Sequence, residues 1–261
     1  MYIDGAWIET RSSFASRNPA TGEVLGEVPD GNEIETRQAI AAAARAFPAW
    51  AAASAYHRAQ LLHRAWQLMI ERKEELARLM TEEQGKPLKA SRNEVVYGAD
   101  FLQWFAEEAK RVYGAVIPSP RADQRFITIR QPVGVVAAIT PWNYPMSMLT
   151  RKMAPALAAG CTVVLKPAEA TPLCAMAVFK LFHDAGFPPG VVNLVTASDP
   201  APVGLEMTTN PSVRKITFTG STQVGKKIAS QAAAHVKRVS MELGGHAPFI
   251  VCPDADPVHA A

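Results

Sequence analysis

The sequence has no dense run of lysine or arginine, and a formal charge of +3 over 261 residues offers no electrostatic footprint for nucleic acid or an acidic membrane surface. It has no apolar stretch of spanning length free of charge, proline or helix breaker, so the pattern of a transmembrane helix is missing. The amino-terminal MYIDGAWIE carries an acid early and lacks an apolar signal core, so export is not expected. Cysteine is scarce. Cys161, Cys174 and Cys252 are an odd number at no metal-ligand spacing, which argues for neither a disulfide framework nor a metal site. A reducing cytoplasm is the simplest reading. No internal repeat recurs at a fixed period, and the GxGxxG dinucleotide fingerprint is missing.

What is present is globular: 48% hydrophobic and 20% charged residues, enough chain for one large domain or a domain and a half. Met1 to Pro29 reads as short extended pieces with turns at Asp4-Gly5, Asn18-Pro19 and Thr21-Gly22. Asn32 then caps a helix expected to run to Phe47 and to end at Pro48. From Tyr56 to about Glu83 apolar residues recur at helical spacing, stopped by Gly85 and Pro87. A further helix is expected from Ser91 to Val112, with Trp104 and Trp66 as core. Residues 1–113 thus read as an extended arm and a helical layer. Gly114 to Arg121 is turn-rich, and Arg125 to Arg130 alternates polar with apolar residues, as a half-exposed strand does. Such a strand needs a partner or a cover, so residues 114–132 are a candidate subunit contact or a plain edge hairpin.

From Val133 onward the pattern is α/β. Strands are expected at Val133–Thr140, Thr162–Lys166, Val191–Val195, Lys215–Thr219, Arg238–Glu242 and Phe249–Val251. Helices fill the gaps at Met146–Ala159, Pro172–Ala185, near Ala201–Met207, and at Ser221–Ala234. Short apolar strands separated by helices imply parallel β-α-β units with right-handed crossovers, and a ligand crevice over the carboxyl ends of the strands. Four groups land there: Thr140-Pro141-Trp142-Asn143, Lys166 to Glu169, Thr219-Gly220-Ser221, and Glu242-Leu243-Gly244-Gly245.

Each group has a chemistry and a bland alternative. Asn143, on a turn between Pro141 and Pro145, can donate from its NH2 group to a developing oxyanion, or can simply be an Asx-turn residue. Gly220 and Ser221 open a helix directly after a strand, where free N–H groups suit a phosphate. The spacing Gly220 to Gly225-Lys226 opens a triphosphate loop, but Lys227 stands where that loop needs a magnesium-binding Ser or Thr. A P-loop phosphotransferase is therefore not expected. Lys166 and Glu169 can both reach ribose hydroxyls, or form a surface ion pair. Glu242 ends a strand in apolar company, as a general base or a buried structural acceptor.

In this order and spacing, TPWNYP, LKPAEATP, FTGSTQVG and MELGG resemble the aldehyde dehydrogenase superfamily, from NPATGEV near Asn18 to the last residues. The resemblance implies an atypical Rossmann-like parallel sheet with helices on both faces, a helical amino-terminal layer before it, and residues 133–261 as the NAD(P)-binding core. It places the pyrophosphate near Ser221 and the adenosine ribose near Lys166 and Glu169. Asn143 matches the oxyanion amide, Glu242 the base, and Lys152 a lysine of the proton relay. Thr140, Pro141, Trp142, Gly220 and Leu243 complete the cofactor contacts. In the family a cysteine thiolate attacks the aldehyde, hydride passes to the nicotinamide, and water drawn by the base cleaves the thioester. That cysteine lies downstream of ELGG, in a catalytic domain this chain is not expected to contain. The chain so resembles the amino-terminal half of a longer enzyme, or a dinucleotide-binding fragment without catalysis of its own.

Two finer expectations follow. Glu169 would accept from ribose hydroxyls and repel a 2′-phosphate, so NAD is expected over NADP, with Lys166 offsetting part of the repulsion. Arg151, in the LTRK arrangement, is similar to the arginine with which succinate-semialdehyde dehydrogenases grip the distal carboxylate, so a short ω-carboxy aldehyde is the expected substrate. The alternative is an arginine on a solvated helix face. Full-length relatives imply a homo-oligomer. Cys161 and Cys174 are expected to be packed as small hydrophobes. Cys252, followed by Pro253 and Asp254, has no histidine partner at a recognisable spacing; His246 reads as a loop residue.

Overall fold

The computed structural model describes residues 1–260. Its centre is a seven-stranded sheet. The parallel strands are β7 (Val135–Ile139), β8 (Thr162–Lys166), β9 (Val192–Leu194), β10 (Val213–Gly220) and β11 (Arg238–Leu243), in the spatial order β11-β10-β7-β8-β9. The chain winds outward from β7 to β9 on one side, then crosses back to lay β10 and β11 on the other. The order reverses between β7 and β10, and that reversal is where a doubly wound sheet leaves its crevice. Two short amino-terminal strands, β1 (Tyr2–Ile3) and β2 (Ala6–Trp7), extend the sheet beyond β9 by antiparallel pairing. A separate hairpin joins β3 (Ser13–Arg17) to β4 (Val24–Pro29).

The pleat of each central strand feeds two cores. Val136 and Ala138 of β7, with Val163 and Leu165 of β8, face helices α2 (Ala55–Glu71), α3 (Lys73–Gln84), α4 (Leu88–Glu108), α5 (Ser147–Ala158) and α6 (Pro172–Ala185). Val135, Ala137 and Val164 face α1 (Glu33–Ala52), α7 (Pro200–Thr209) and α8 (Thr222–Ala233) on the other side. Strands buried on both faces are near-continuous apolar runs, as these are. The amino-terminal helices support the sheet from both sides. No helix among the described residues is long and apolar enough to cross a membrane.

Several local expectations differ from what forms. Pro48 does not end α1, which continues to Ala52. A proline inside a helix costs about 3 kcal/mol, and burial of Trp50 against the Phe187 ring holds the last turn in place. The run from Tyr56 to Glu83 is two helices, because Arg72 leaves helical geometry (φ −95°, ψ 18°) while its guanidinium reaches Asp184 of α6 at 2.7 Å. Trp104 is 60% exposed, not core. The buried stripe of α4 runs through Ser91, Glu94, Val95, Gly98, Ala99, Leu102 and Ala106, and position 104 falls on the far side of the helix. The turn-rich passage contains a strand, β5 (Ala115–Pro118), paired with β6 (Arg125–Thr128); both are exposed on both faces, not half-buried. Phe249–Val251 forms no strand and lies exposed, since no neighbouring strand offers it a ladder. The last helical element is the single turn α9 (Pro257–Ala260).

Two buried carboxylates tie the amino-terminal helices to the crossover helices. Neither α5 nor α6 has a side-chain cap of its own. Glu94 of α4 accepts from Met146 N at 3.0 Å and Ser147 N at 3.2 Å, and so closes the first turn of α5. Glu83 of α3 accepts from Leu173 N at 2.7 Å and Cys174 N at 2.8 Å, and closes α6 in the same way. A negative charge at a helix amino end satisfies orphan N–H groups and complements the helix dipole. One turn from Glu94, Gly98 lets α4 approach α5: a Cβ there would meet Ser147 Cα at 3.2 Å.

Candidate functional site

At the carboxyl ends of β7, β10 and β11 a cleft of about 400 Å³ is lined by Pro141, Trp142, Asn143, Met148, Arg151, Thr219, Gly220, Ser221, Glu242, Leu243 and Gly244. Three strand ends and the first two turns of α5 contribute. Thr140 lies buried behind it, and its hydroxyl has no hydrogen-bond partner among the described residues. Lys152 faces a neighbouring cavity, also about 400 Å³, shared with Arg151, Lys215, Thr217 and Ser240. Lys166 and Glu169 are one strand over, at the end of β8, where Lys166 O accepts from Thr140 N at 3.1 Å.

The Asn143 side chain has a defined setting. Its Oδ1 accepts from Tyr144 N at 3.1 Å, which turns the carbonyl oxygen of the amide back to the chain. Lys86 Nζ donates to Asn143 O at 2.7 Å and sits 4.2 Å from the centre of the Tyr144 ring. On the opposite wall Ser221 caps α8, its hydroxyl accepting from Val224 N at 3.3 Å. Thr222 Oγ1 donates to Gly244 O at 3.2 Å and so joins that helix end to the loop after β11.

The charged groups are differently placed from one another. Lys166 is buried and donates to Glu169 Oε2 at 2.6 Å. Burial alone would raise the Glu169 carboxyl, but the bond and charge of Lys166 outweigh it and hold the carboxyl below its ordinary value. Burial lowers the Lys152 ammonium to about 8; Arg151 and Lys215 add to the depression and Glu242 opposes it. Lys152 Nζ donates to Thr217 Oγ1 at 3.2 Å. Glu242 is not in apolar company. It is exposed, and its nearest charge is Arg151, 3.7 Å away. In this chain the carboxylate is thus not a buried acceptor.

The sequence model of the aldehyde dehydrogenase family matches residues 7–261. The chain belongs to this family. It is 55% identical over 257 residues to the glutarate-semialdehyde dehydrogenase of Pseudomonas aeruginosa, a match covering 98% of this chain and 53% of that protein. It is likewise 55% identical over 256 residues to the NADP(+) succinate-semialdehyde dehydrogenase of Escherichia coli, covering 97% of this chain and 53% of the other. A crystal structure of an Escherichia coli NADP dependent enzyme superposes with a TM-score of 0.95 at 53% identity, over 99% of this chain and 54% of that one. The chain spans about half the length of the curated relatives it matches.

For this member of the aldehyde dehydrogenase family, the four strand-end groups read from the sequence meet at one end of the sheet, and three of them line the cleft. The fourth, Lys166 to Glu169, stands beside it. Met148 lines the cleft unanticipated, and Lys86, Glu94 and Tyr144, which do not line it, were not anticipated as the supports behind it. One signal was available for Glu94: a charged residue sits on the otherwise apolar or small stripe of α4.

Proposed function

We propose that this chain carries the dinucleotide site, the oxyanion amide and the base of an NAD-dependent dehydrogenase that oxidises a short ω-carboxy aldehyde, such as succinate semialdehyde, to the acid. One observation carries the cofactor assignment. Of the four crossover helices, α5, α6 and α7 have carboxylates on their first turns, from Glu94, Glu83 and Asp199. Only α8, whose end lies in the cleft, is capped by a neutral hydroxyl, that of Ser221. A pyrophosphate would be repelled by the first three ends and attracted by the fourth. The unpartnered hydroxyl of Thr140 and the small lining residues Gly220 and Gly244 fit a ligand that approaches the backbone closely. Thr140, Pro141, Trp142, Gly220, Ser221 and Leu243 would hold it, with Lys166 and Glu169 at the ribose.

Bound there, the dinucleotide supplies the acceptor for the two electrons removed from the aldehyde. The remaining work falls to side chains. The NH2 group of Asn143 donates to the oxygen on which negative charge develops. Glu242, exposed at the cleft, takes the proton of the attacking group or of water. Lys152, with its ammonium lowered to about 8, exchanges protons near neutral pH. Arg151 offers a two-pronged donor to the distal carboxylate of the substrate. The same reading includes a homo-oligomer formed through β5 and β6, whose Val116 and Ile127 are exposed. No cysteine of the described residues lines the cleft, so the 261-residue chain is proposed to bind dinucleotide without oxidising aldehydes.

The test is calorimetric titration of NAD into the chain and its Ser221→Asp variant. Aspartate is an equally good amino-terminal cap, so the fold is kept, while its charge meets the phosphates. Loss of binding at unchanged melting temperature is expected. Undiminished binding in the variant would overturn the assignment.

A further inference from the structure

We infer that Lys86, itself held by the buried Glu94, is the positioning residue that sets the Asn143 side chain for its task. This inference rests on the reading of Asn143 as the donor to the oxyanion. The argument starts from one peptide group. The carbonyl of Asn143 and the N–H of Tyr144 belong to the same planar unit and point in opposite directions. Lys86 Nζ holds the carbonyl end at 2.7 Å. The N–H end donates to Asn143 Oδ1 at 3.1 Å. Fixing the plane therefore fixes the side-chain amide, because the Tyr144 N–H donates to Oδ1 and the NH2 end of the amide cannot accept. With Oδ1 turned to the backbone, the NH2 group is what Asn143 has left to offer the cleft that it lines.

Lys86 can do this because its own place is fixed on three sides. It donates to Glu94 Oε2 as well as to Asn143 O, and its ammonium lies 4.2 Å from the centre of the Tyr144 ring. Glu94 in turn has 1% side-chain exposure, and its other oxygen accepts from Met146 N and Ser147 N. One carboxylate thus anchors both ends of the segment 143–147: through Lys86 at the Asn143 carbonyl, and directly at the first turn of α5. Pro141 and Pro145 stiffen the same segment. A loop with its backbone pinned at both ends loses little entropy when charge develops on its donor, which is the requirement for a preorganised donor. Lys86 and Glu94 stand on or beside α4, more than fifty positions earlier in the chain.

The test uses the 261-residue chain labelled with ¹⁵N, and needs no turnover. The Asn143 NH2 resonances are assigned by their loss in Asn143→Asp. Hydrogen exchange is followed at Tyr144 N–H and, for comparison, at Leu102 in the core of α4. Lys86→Met is expected to raise exchange at Tyr144 by about tenfold, the equivalent of one charge-assisted bond, and to shift and broaden the Asn143 pair, while Leu102 is unaffected. Lys86→Arg, which keeps a cation beside the Tyr144 ring, is expected to restore most of the protection. Unchanged Tyr144 exchange and Asn143 resonances in Lys86→Met would overturn the inference. So would a uniform rise at Tyr144 and Leu102 that Lys86→Arg does not reverse. Titration of NAD into the same samples keeps the two ideas apart: no binding by the unsubstituted chain sinks the cofactor reading, while the exchange result still decides the role of Lys86.

Discussion

Arg151 Nη2 lies 3.7 Å from Glu242 Oε1, so the side chain proposed to grip the substrate faces the one proposed to take the proton of the attacking group or of water. Both are well exposed, and 3.7 Å is attraction without a hydrogen bond. Neither group is therefore committed to the other. The guanidinium keeps its donors for an incoming carboxylate, and Glu242 keeps its lone pairs for a proton. Arg151 also belongs to both cavities, the cleft and the one that holds Lys152. That shared position couples the three charges.

The coupling is readable at Lys152. Its ammonium falls from 10.5 unfolded to about 8 folded, through burial first and the charge of Arg151 second. Between those values the unfolded chain binds more protons, so this residue makes stability rise with pH from about 8 to 10.5. The penalty of burying the charged form is complete below that window and absent above it. Lys152→Met removes the penalty, so its advantage over the parent chain in urea unfolding should be largest below pH 8 and fade as pH rises. In ¹³C-dimethyl-lysine spectra, Arg151→Ala should raise the Lys152 titration and Glu242→Gln should lower it. A Lys152 midpoint unmoved by either change would refute the coupling.

Cofactor preference is predicted to turn on Glu169. Its carboxylate is held by Lys166 at 2.6 Å and stays ionised under all ordinary conditions. It can accept from ribose hydroxyls, and it repels a 2′-phosphate. Lys166 reduces that repulsion without removing it, because its single charge is already paired with Glu169. NAD should bind the chain at least about tenfold more tightly than NADP, the effect of roughly 1.4 kcal/mol. Glu169→Ser should narrow or reverse the ratio by freeing Lys166. Tighter NADP binding by the parent chain, measured by calorimetry, would count against the role given to Glu169.

How far the molecule was legible varies with the range of the forces. Thr162–Lys166 and Pro172–Ala185 formed at the residues where apolar runs and a first-turn proline put them. The cleft was legible because each of its groups stands at the carboxyl end of a strand that alternates with helices along the chain. Contacts distant in sequence were not. Tyr2-Ile3 reads as an extended piece before the Asp4-Gly5 turn, but nothing in it announces its pairing at Leu194, which is a tertiary choice. Phe249–Val251 has strand composition and no partner, so propensity misled. Glu83 and Glu94 cap helices that are distant in sequence, so the sequence alone does not show what they bind.

Glu83 gives a test of those caps. It receives Ser16 Oγ at 2.8 Å together with the first N–H groups of α6, and so joins β3, α3 and α6 at one point. Glu83→Ala leaves two backbone donors and a hydroxyl without their acceptor in a buried place. Each such orphan costs about 1–3 kcal/mol, so a loss of roughly 3–5 kcal/mol in urea unfolding is expected. A loss under about 0.5 kcal/mol, the range of an ordinary surface change, would mean that water replaces the carboxylate freely.

The last prediction concerns turnover. Aldehyde oxidation by this family's chemistry needs a thiolate next to the oxyanion donor, and the three cysteines of this chain can be taken one by one. Cys174 is buried in α6, and burial, with Glu83 beside it, pushes its thiol well above the ordinary value. Cys161 is buried too, and burial raises its thiol despite the charges of Lys215 and Arg58. Neither lines the cleft with Asn143. Cys252 is exposed, in a stretch that forms no strand, and is also outside the cleft lining. A nucleophile misplaced by an ångström loses about a hundredfold in rate, and Cys252 is not among the residues around Asn143 at all. The purified chain, its mass verified, should therefore bind NAD and form no NADH from succinate semialdehyde above the enzyme-free control. Turnover above that control, lost in Cys252→Ala and kept in Cys161→Ala, would instead make Cys252 the nucleophile and require the segment after β11 to fold over the cleft.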